Sequence, residues 1–160
     1  MFHRTLFAFI LVLLASSGQP PSASSSPAQP ATAEVDLVNV SPGTASGDGD
    51  WCVDAVEAIA LTAHVIDVAS GNELTEGTLE WQTCSAPSGG GLPKEDCEGH
   101  GGARWAGQVI TDLSADSTPS LTTRFVGPVL GWRLQFRPAQ GGGFKRARSD
   151  SFNLDRTCSF

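Results

Sequence analysis

Residues 131–138 read GWRLQFRP. Three large apolar side chains, Trp132, Leu134 and Phe136, alternate with Arg133, Gln135 and Arg137. A period of two places the first set on one face of a β-strand and the second on the other. Pro138 lacks the N–H that a ladder needs and closes the strand.

The same pattern recurs along the chain, bounded by Gly, Pro, Asn, Asp and Ser clusters. EVDLVNV, 34–40, predicts a first strand, ended by Ser41-Pro42-Gly43. EAIALTAHVID, 57–67, predicts a second, with Ile59, Leu61, Ala63 and Val65 inward and His64 outward. GTLEWQTC, 77–84, turns Leu79 and Trp81 inward and Glu80 and Gln82 outward. RWAGQVITDL, 104–113, is the fourth, with Trp105 assigned to the core. SLTTRFVG, 120–127, sends Leu121, Thr123 and Phe125 inward. SFNLDRT, 151–157, does the same with Phe152 and Leu154. Seven such strands predict an all-β fold, a two-sheet antiparallel sandwich. No repeat of 20–50 residues marks a tandem array.

The start of the chain reads as a leader rather than as fold. His3 and Arg4 precede an apolar run from Leu6 to Ala15, followed by small residues. That is the layout of a secretory signal peptide, assigned to 1–17, and the run is too short to span a bilayer. No cysteine follows it, which argues against a lipid anchor there. Residues 18–33 are almost all Pro, Ser and Ala. They have nothing to bury against their ordering entropy and read as a disordered linker. The folded domain is expected over 34–160, exported to the periplasm or beyond the cell, with no later membrane-spanning segment.

Beyond the leader there are nine basic and seventeen acidic residues, a formal charge of −8. This argues against general nucleic-acid binding, which needs a positive surface. The charge is uneven: residues 34–116 hold fifteen acids and two bases, and 117–149 hold six bases and no acid. A basic sheet face beside acidic strands is one expectation, and a basic contact surface is the other.

WQTCSAPSGGGLPKEDC, 81–97, holds two of the four cysteines, Cys84 and Cys97; the others are Cys52 and Cys158. An even count in an exported chain favours disulfides, and four cysteines allow three pairings. Strand direction narrows the choice. If successive strands reverse, all four thiols gather at one pole. Cys84 and Cys97 can then bridge within their own loop, leaving Cys52 for Cys158. Lys94, Glu95 and Asp96 read as the solvated side of that loop. Cys97-x-x-His100 has zinc-knuckle spacing but lacks a second close ligand pair. A redox Cys-x-x-Cys is absent. Asp48, Asp50 and Asp54 flank Trp51 in an acidic turn that departs from a calcium loop at its third position. No nucleophile elbow and no phosphate-binding glycine motif occurs. The expectation is therefore no catalytic residue, no metal and no cofactor.

The segments LTAHVIDVASGNELTEGTLEW, 61–81, and GWRLQFRPAQGGGFKRARSDSFNLD, 131–155, carry a resemblance. They look like the second-turn-third and sixth-turn-seventh strand segments of bacterial immunoglobulin-like (Big-type) domains, over roughly 34–158. The resemblance implies an immunoglobulin-like sandwich of about seven strands, in secreted or cell-surface modules that bind, space or adhere. In such sandwiches one loop-bearing end often recognises a partner. Here that end would hold the hairpin tip with Phe144, Lys145, Arg146 and Arg148, opposite the cysteine pole. The tip would meet a protein or glycan ligand at the cell surface, or only pair with Glu73, Glu76, Asp112 and Asp116 nearby. The alternative function is a carbohydrate-binding or accessory domain of a secreted hydrolase system, which exposed tryptophans on one sheet face would favour.

Overall fold

The computed structural model describes residues 29–53, 58–99, 102–124 and 128–158. The leader, most of the linker, Asp54, Glu57, His100 and Phe125 lie outside them. The strands are β1 Ala33–Ser41, β2 Thr44–Ala45, β3 Trp51–Cys52, β4 Ile59–Asp67, β5 Thr78–Ser85, β6 Arg104–Asp112, β7 Ser120–Thr123, β8 Val129–Arg137, β9 Ala147–Arg148 and β10 Phe152–Asp155. One short helix, α1 Lys94–Glu98, lies between β5 and β6. No helix among the described residues is long and apolar enough to cross a membrane.

Two sheets form. The smaller has the order β1-β4-β7, and the larger β2-β3-β10-β8-β5-β6, with β9 also on β8. Every pair is antiparallel except β3 with β10, which run parallel. The expectation of a wholly antiparallel sandwich is corrected at that pair. Its cause is the crossing after β1. Pro42 cannot continue the ladder on β4, and the chain passes to the other sheet, where β2 and β3 are two residues each. A short strand also precedes the predicted last one, inside the segment that reads as a turn. Ala147 and Arg148 pair with Phe136 and Gln135, then the chain bulges, and Phe152 resumes opposite Trp132. Ser149 spans the gap: its N–H donates to Leu134 O at 3.0 Å and its hydroxyl accepts from Leu134 N–H at 2.9 Å.

The core lies between the sheets. Ile59, Leu61, Ala63 and Val65 of β4 face Leu79, Trp81, Trp132, Leu134, Phe136 and Leu154 of the larger sheet, all buried. This alternation is the one the sequence predicts for β4, β5, β8 and β10. Such side chains each contribute roughly 1.5–3 kcal/mol on burial. Trp81 also donates its indole N–H to Thr111 Oγ1 at 2.9 Å.

Trp105 is different. It pairs with Cys84 across the β5–β6 ladder and turns to the outer face, half-buried rather than in the core. The reason is a bulge. Val109 opposes Trp81 but Gly107 opposes Gln82, so Gln108 is an extra residue. One extra residue reverses the face of every side chain beyond it. Val109 and Thr111 keep the inward parity and Trp105 loses it.

Both bridges lie at one pole. Cys52 joins Cys158 and Cys84 joins Cys97, with Cα separations of 5.8 and 5.7 Å. In the chain-entropy model a 13-residue loop gains about 3 kcal/mol and a loop of a hundred residues about 5 kcal/mol.

Candidate functional site

The outer face of the larger sheet carries polar side chains that are nearly as buried as the core. On β5 these are Glu80 and Gln82, on β8 Gln135, and on β10 Asn153, each no more than 9% exposed. Two roofs cover them, one made of arginine side chains and the other of the cysteine loop.

The arginine roof follows from register. Glu80 and Gln82 of β5 lie opposite Gln135 and Arg133 of β8, and Arg148 of β9 lies opposite Gln135. Arg137 Nη2 contacts Glu80 Oε2 at 2.5 Å. Arg133 makes a different contact, donating its Nε–H to Gln82 Oε1 at 2.6 Å. Arg148 donates its Nε–H to Gln135 Oε1 at 3.2 Å. Aliphatic arginine stems laid over polar side chains remove them from water while the charged heads stay near solvent. Arg133 also stacks on Trp105, its guanidinium carbon 4.7 Å from the ring centroid. Burial, then the positive charge of Arg148, pushes the Arg133 guanidinium down to about 10, with Glu80 opposing the shift. Arg133 is still a cation at neutral pH.

The cysteine loop forms the second roof. The sequence places it at the pole as a stapled loop; in the structure it folds back onto the outer face. Gly131 makes this possible. A Cβ there would lie 2.4 Å from Lys94 N and 2.7 Å from Lys94 Cα, so only glycine admits the loop backbone. Gly131 N–H donates to Leu92 O at 2.8 Å. Asn153 then ties the loop down. Its Oδ1 accepts from Lys94 N–H at 2.8 Å, and its Nδ2 donates to Glu95 Oε1 at 3.0 Å and Asp50 Oδ2 at 3.2 Å. Asn153 N–H donates to Asp50 Oδ1 at 2.8 Å, and Lys94 Nζ lies 2.5 Å from the same oxygen. Lys94 and Asp50 are thus half-buried partners, which corrects the reading of Lys94 as part of the loop's solvated side. Asp50 spends its oxygens on N–H donors. Cys84 and Cys97 spend their sulfurs on each other, which leaves no thiolate for zinc. Among the described residues no cluster of three His, Cys, Asp or Glu is placed to hold a metal.

Between the roofs lies an open groove of about 470 Å³. Trp105, Arg133 and Arg148 line it, together with Asp48, Glu98 and Asp150. Glu98 accepts a hydrogen bond from the Ser151 hydroxyl. Among the described residues neither Arg133 nor Arg148 forms an ion pair with a carboxylate.

The four tip residues expected to act together are divided. Lys145 and Arg146 are exposed at the opposite pole, and among the described residues neither makes an ion pair. Phe144 turns in against the core and closes a small cavity of about 180 Å³ beside Leu74 and Pro138. The tip is also held by the end of the linker, since Ala31 N–H donates to Gly143 O and Lys145 N–H donates to Ala31 O. Arg148 leaves the tip because β9 pairs it with Gln135 on the sheet face. His64, outward on β4, has its Nδ1 3.0 Å from Glu73 Oε1.

A second opening, of about 630 Å³, lies at the flank between β6 and β7, with Thr83, Leu121 and Trp132 on its walls. Trp132 Nε1 is buried and has no hydrogen-bond partner among the described residues.

The sequence marks Glu80, Gln82 and Gln135 as outward but not as a buried polar layer. The missing signal was Gly107-Gln108, since a glycine inside a strand pattern often marks a bulge. That bulge brings Trp105 to the groove. Comparisons with protein-family models, with curated proteins and with solved structures give no match.

Proposed function

We propose that the chain is an exported, non-catalytic immunoglobulin-like module that binds or spaces at the cell envelope. The order of the long strands carries this reading. Counting β1, β4, β5, β6, β7, β8 and β10 as first to seventh, the first, second and fifth share one sheet. The seventh, sixth, third and fourth share the other. Immunoglobulin domains split their strands in this way apart from the fourth, which here lies beside the third, where their variable type adds extra strands. Two disulfides suit an oxidising compartment.

The test is fractionation of cells making the full chain, with thiol alkylation before lysis. The reading expects protein in the envelope or medium with both bridges formed. Cytoplasmic protein with four alkylated cysteines would overturn it.

A second reading, a carbohydrate-binding or accessory domain of a secreted hydrolase system, is favoured by one observation. Trp105 stands on the outer sheet face beside hydrogen-bonding side chains, where an aromatic ring can pack against a sugar. Glycan-array binding that disappears in Trp105→Ala supports this reading, and an array with no response counts against it.

A further inference from the structure

We infer that the groove over the larger sheet binds an acidic glycan, through one uronate carboxylate held between Arg133 and Arg148. The inference rests on the carbohydrate-binding reading above and names the ligand class.

Among the described residues the two arginines are held in place without an ion-pair partner. Gln82 takes the Nε–H of Arg133 and Gln135 that of Arg148. A neutral amide fixes the guanidinium plane and leaves the charge and the terminal Nη groups uncommitted. Arg137, four residues along β8 on the same face, shows the ordinary alternative, with its charge met by Glu80. Burial and the positive charge of Arg148 both act against the Arg133 cation, and an anion joining the two arginines would relieve that repulsion. Guanidinium forks match a carboxylate in geometry and charge.

The rest of the groove selects the carrier. Asp48, Glu98 and Asp150 lie in the same groove, so only one anionic group of a ligand finds a cationic seat there. As acceptors they suit hydroxyl groups. The main-chain groups of β8 are taken by β5 on one side and by β9 and β10 on the other, so an extended peptide lying across β8 finds no ladder to join there. Trp105 supplies an apolar ring at the same place. One carboxylate among several hydroxyls on a ring that packs against an indole describes a uronic-acid sugar. An acidic peptide is the competing occupant.

The experiment titrates the full chain, exported with both bridges formed, with tri-galacturonate, with the neutral galactose trimer and with a tri-glutamate peptide. Calorimetry gives affinity, and the indole N–H resonances, assigned with Trp105→Phe, report location. The inference expects tri-galacturonate to bind and to move the Trp105 resonance alone. The neutral trimer should bind at least about tenfold more weakly. Arg148→Gln, an exposed change that leaves the core alone, should weaken uronate binding about 10- to 100-fold. Arg148→Lys should fall between, and Arg156→Gln, remote from the groove, should change nothing. Equal binding of both sugars at Trp105 would overturn the uronate inference and keep the carbohydrate reading. Movement of Trp105 by no sugar would overturn both. Tri-glutamate binding as tightly as the uronate, with the same Arg148 dependence, would assign the site to peptide and overturn the inference.

Discussion

Replacing Gly131 by alanine tests how the cysteine loop is seated. The new Cβ would stand 2.4, 2.7 and 2.9 Å from Lys94 N, Lys94 Cα and Pro93 C. All three are backbone atoms, so no rotamer change relieves the contact. The loop cannot simply lift, because the Cys84–Cys97 bridge, the Gly131–Leu92 hydrogen bond and the Asn153–Lys94 hydrogen bond hold it from three sides. Overpacking of this kind costs about 1–3 kcal/mol, and each displaced hydrogen bond about 1 kcal/mol more. Gly131→Ala should therefore lose about 2–4 kcal/mol. Gly90→Ala in the same loop is the control, since its Cβ meets nothing within 4 Å and the change should fall within about 0.5 kcal/mol of neutral. Urea unfolding with disulfides intact gives both values from the midpoint at constant slope. The bridge can then be removed with Cys84→Ser and Cys97→Ser. The freed loop yields more easily, and the Gly131→Ala penalty should shrink by at least about 1 kcal/mol, as expected for coupled neighbours. A Gly131→Ala cost equal to that of Gly90→Ala would refute the seating of the loop on β8.

Two other outcomes follow from single side chains. Trp81 bonds Thr111 through its indole N–H whereas Trp132 Nε1 is buried without a partner, so Trp81→Phe should cost about 1–2 kcal/mol more than Trp132→Phe in thermal or urea unfolding; equal costs would contradict the assignment. The Ser70 hydroxyl, then the Ala69 N–H, hold the Asp67 carboxyl below its ordinary value of 3.8. A depressed folded-state value means the contribution is present above the unfolded value and is lost as pH falls through the folded one. Ser70→Ala should raise the Asp67 midpoint toward 3.8 in a carbon-detected NMR titration, and an unchanged midpoint would remove the hydroxyl from the account.

Where one face of a strand meets a core, the chain declares itself. Trp132, Leu134 and Phe136, or Leu61, Ala63 and Val65, can be read from their period alone, because burial on one side forces the alternation. β6 escapes this logic. Its face reverses at Gln108, and a bulge depends on the partner strand as much as on its own residues. β2 and β3 are too short to show any period. The parallel pairing of β3 with β10 is a tertiary choice that follows from the crossing at Pro42. Strand direction is enough to bring four thiols to one pole. It does not reveal that the loop between Cys84 and Cys97 lies down on Gly131, since that needs knowledge of which glycine on another strand is bare. The hairpin tip stands out in the sequence because its charges are consecutive. The groove is assembled from β6, β8 and β9, whose contributions lie far apart in the chain.

The orientation of Trp105 is the point on which the site depends, and nuclear Overhauser contacts from its indole ring measure it directly. The account predicts contacts to the side-chain protons of Arg133, shifted upfield by the ring beneath them. Contacts from that ring to the core methyls of Leu134 and Leu121 would place Trp105 inside the sandwich and contradict the account.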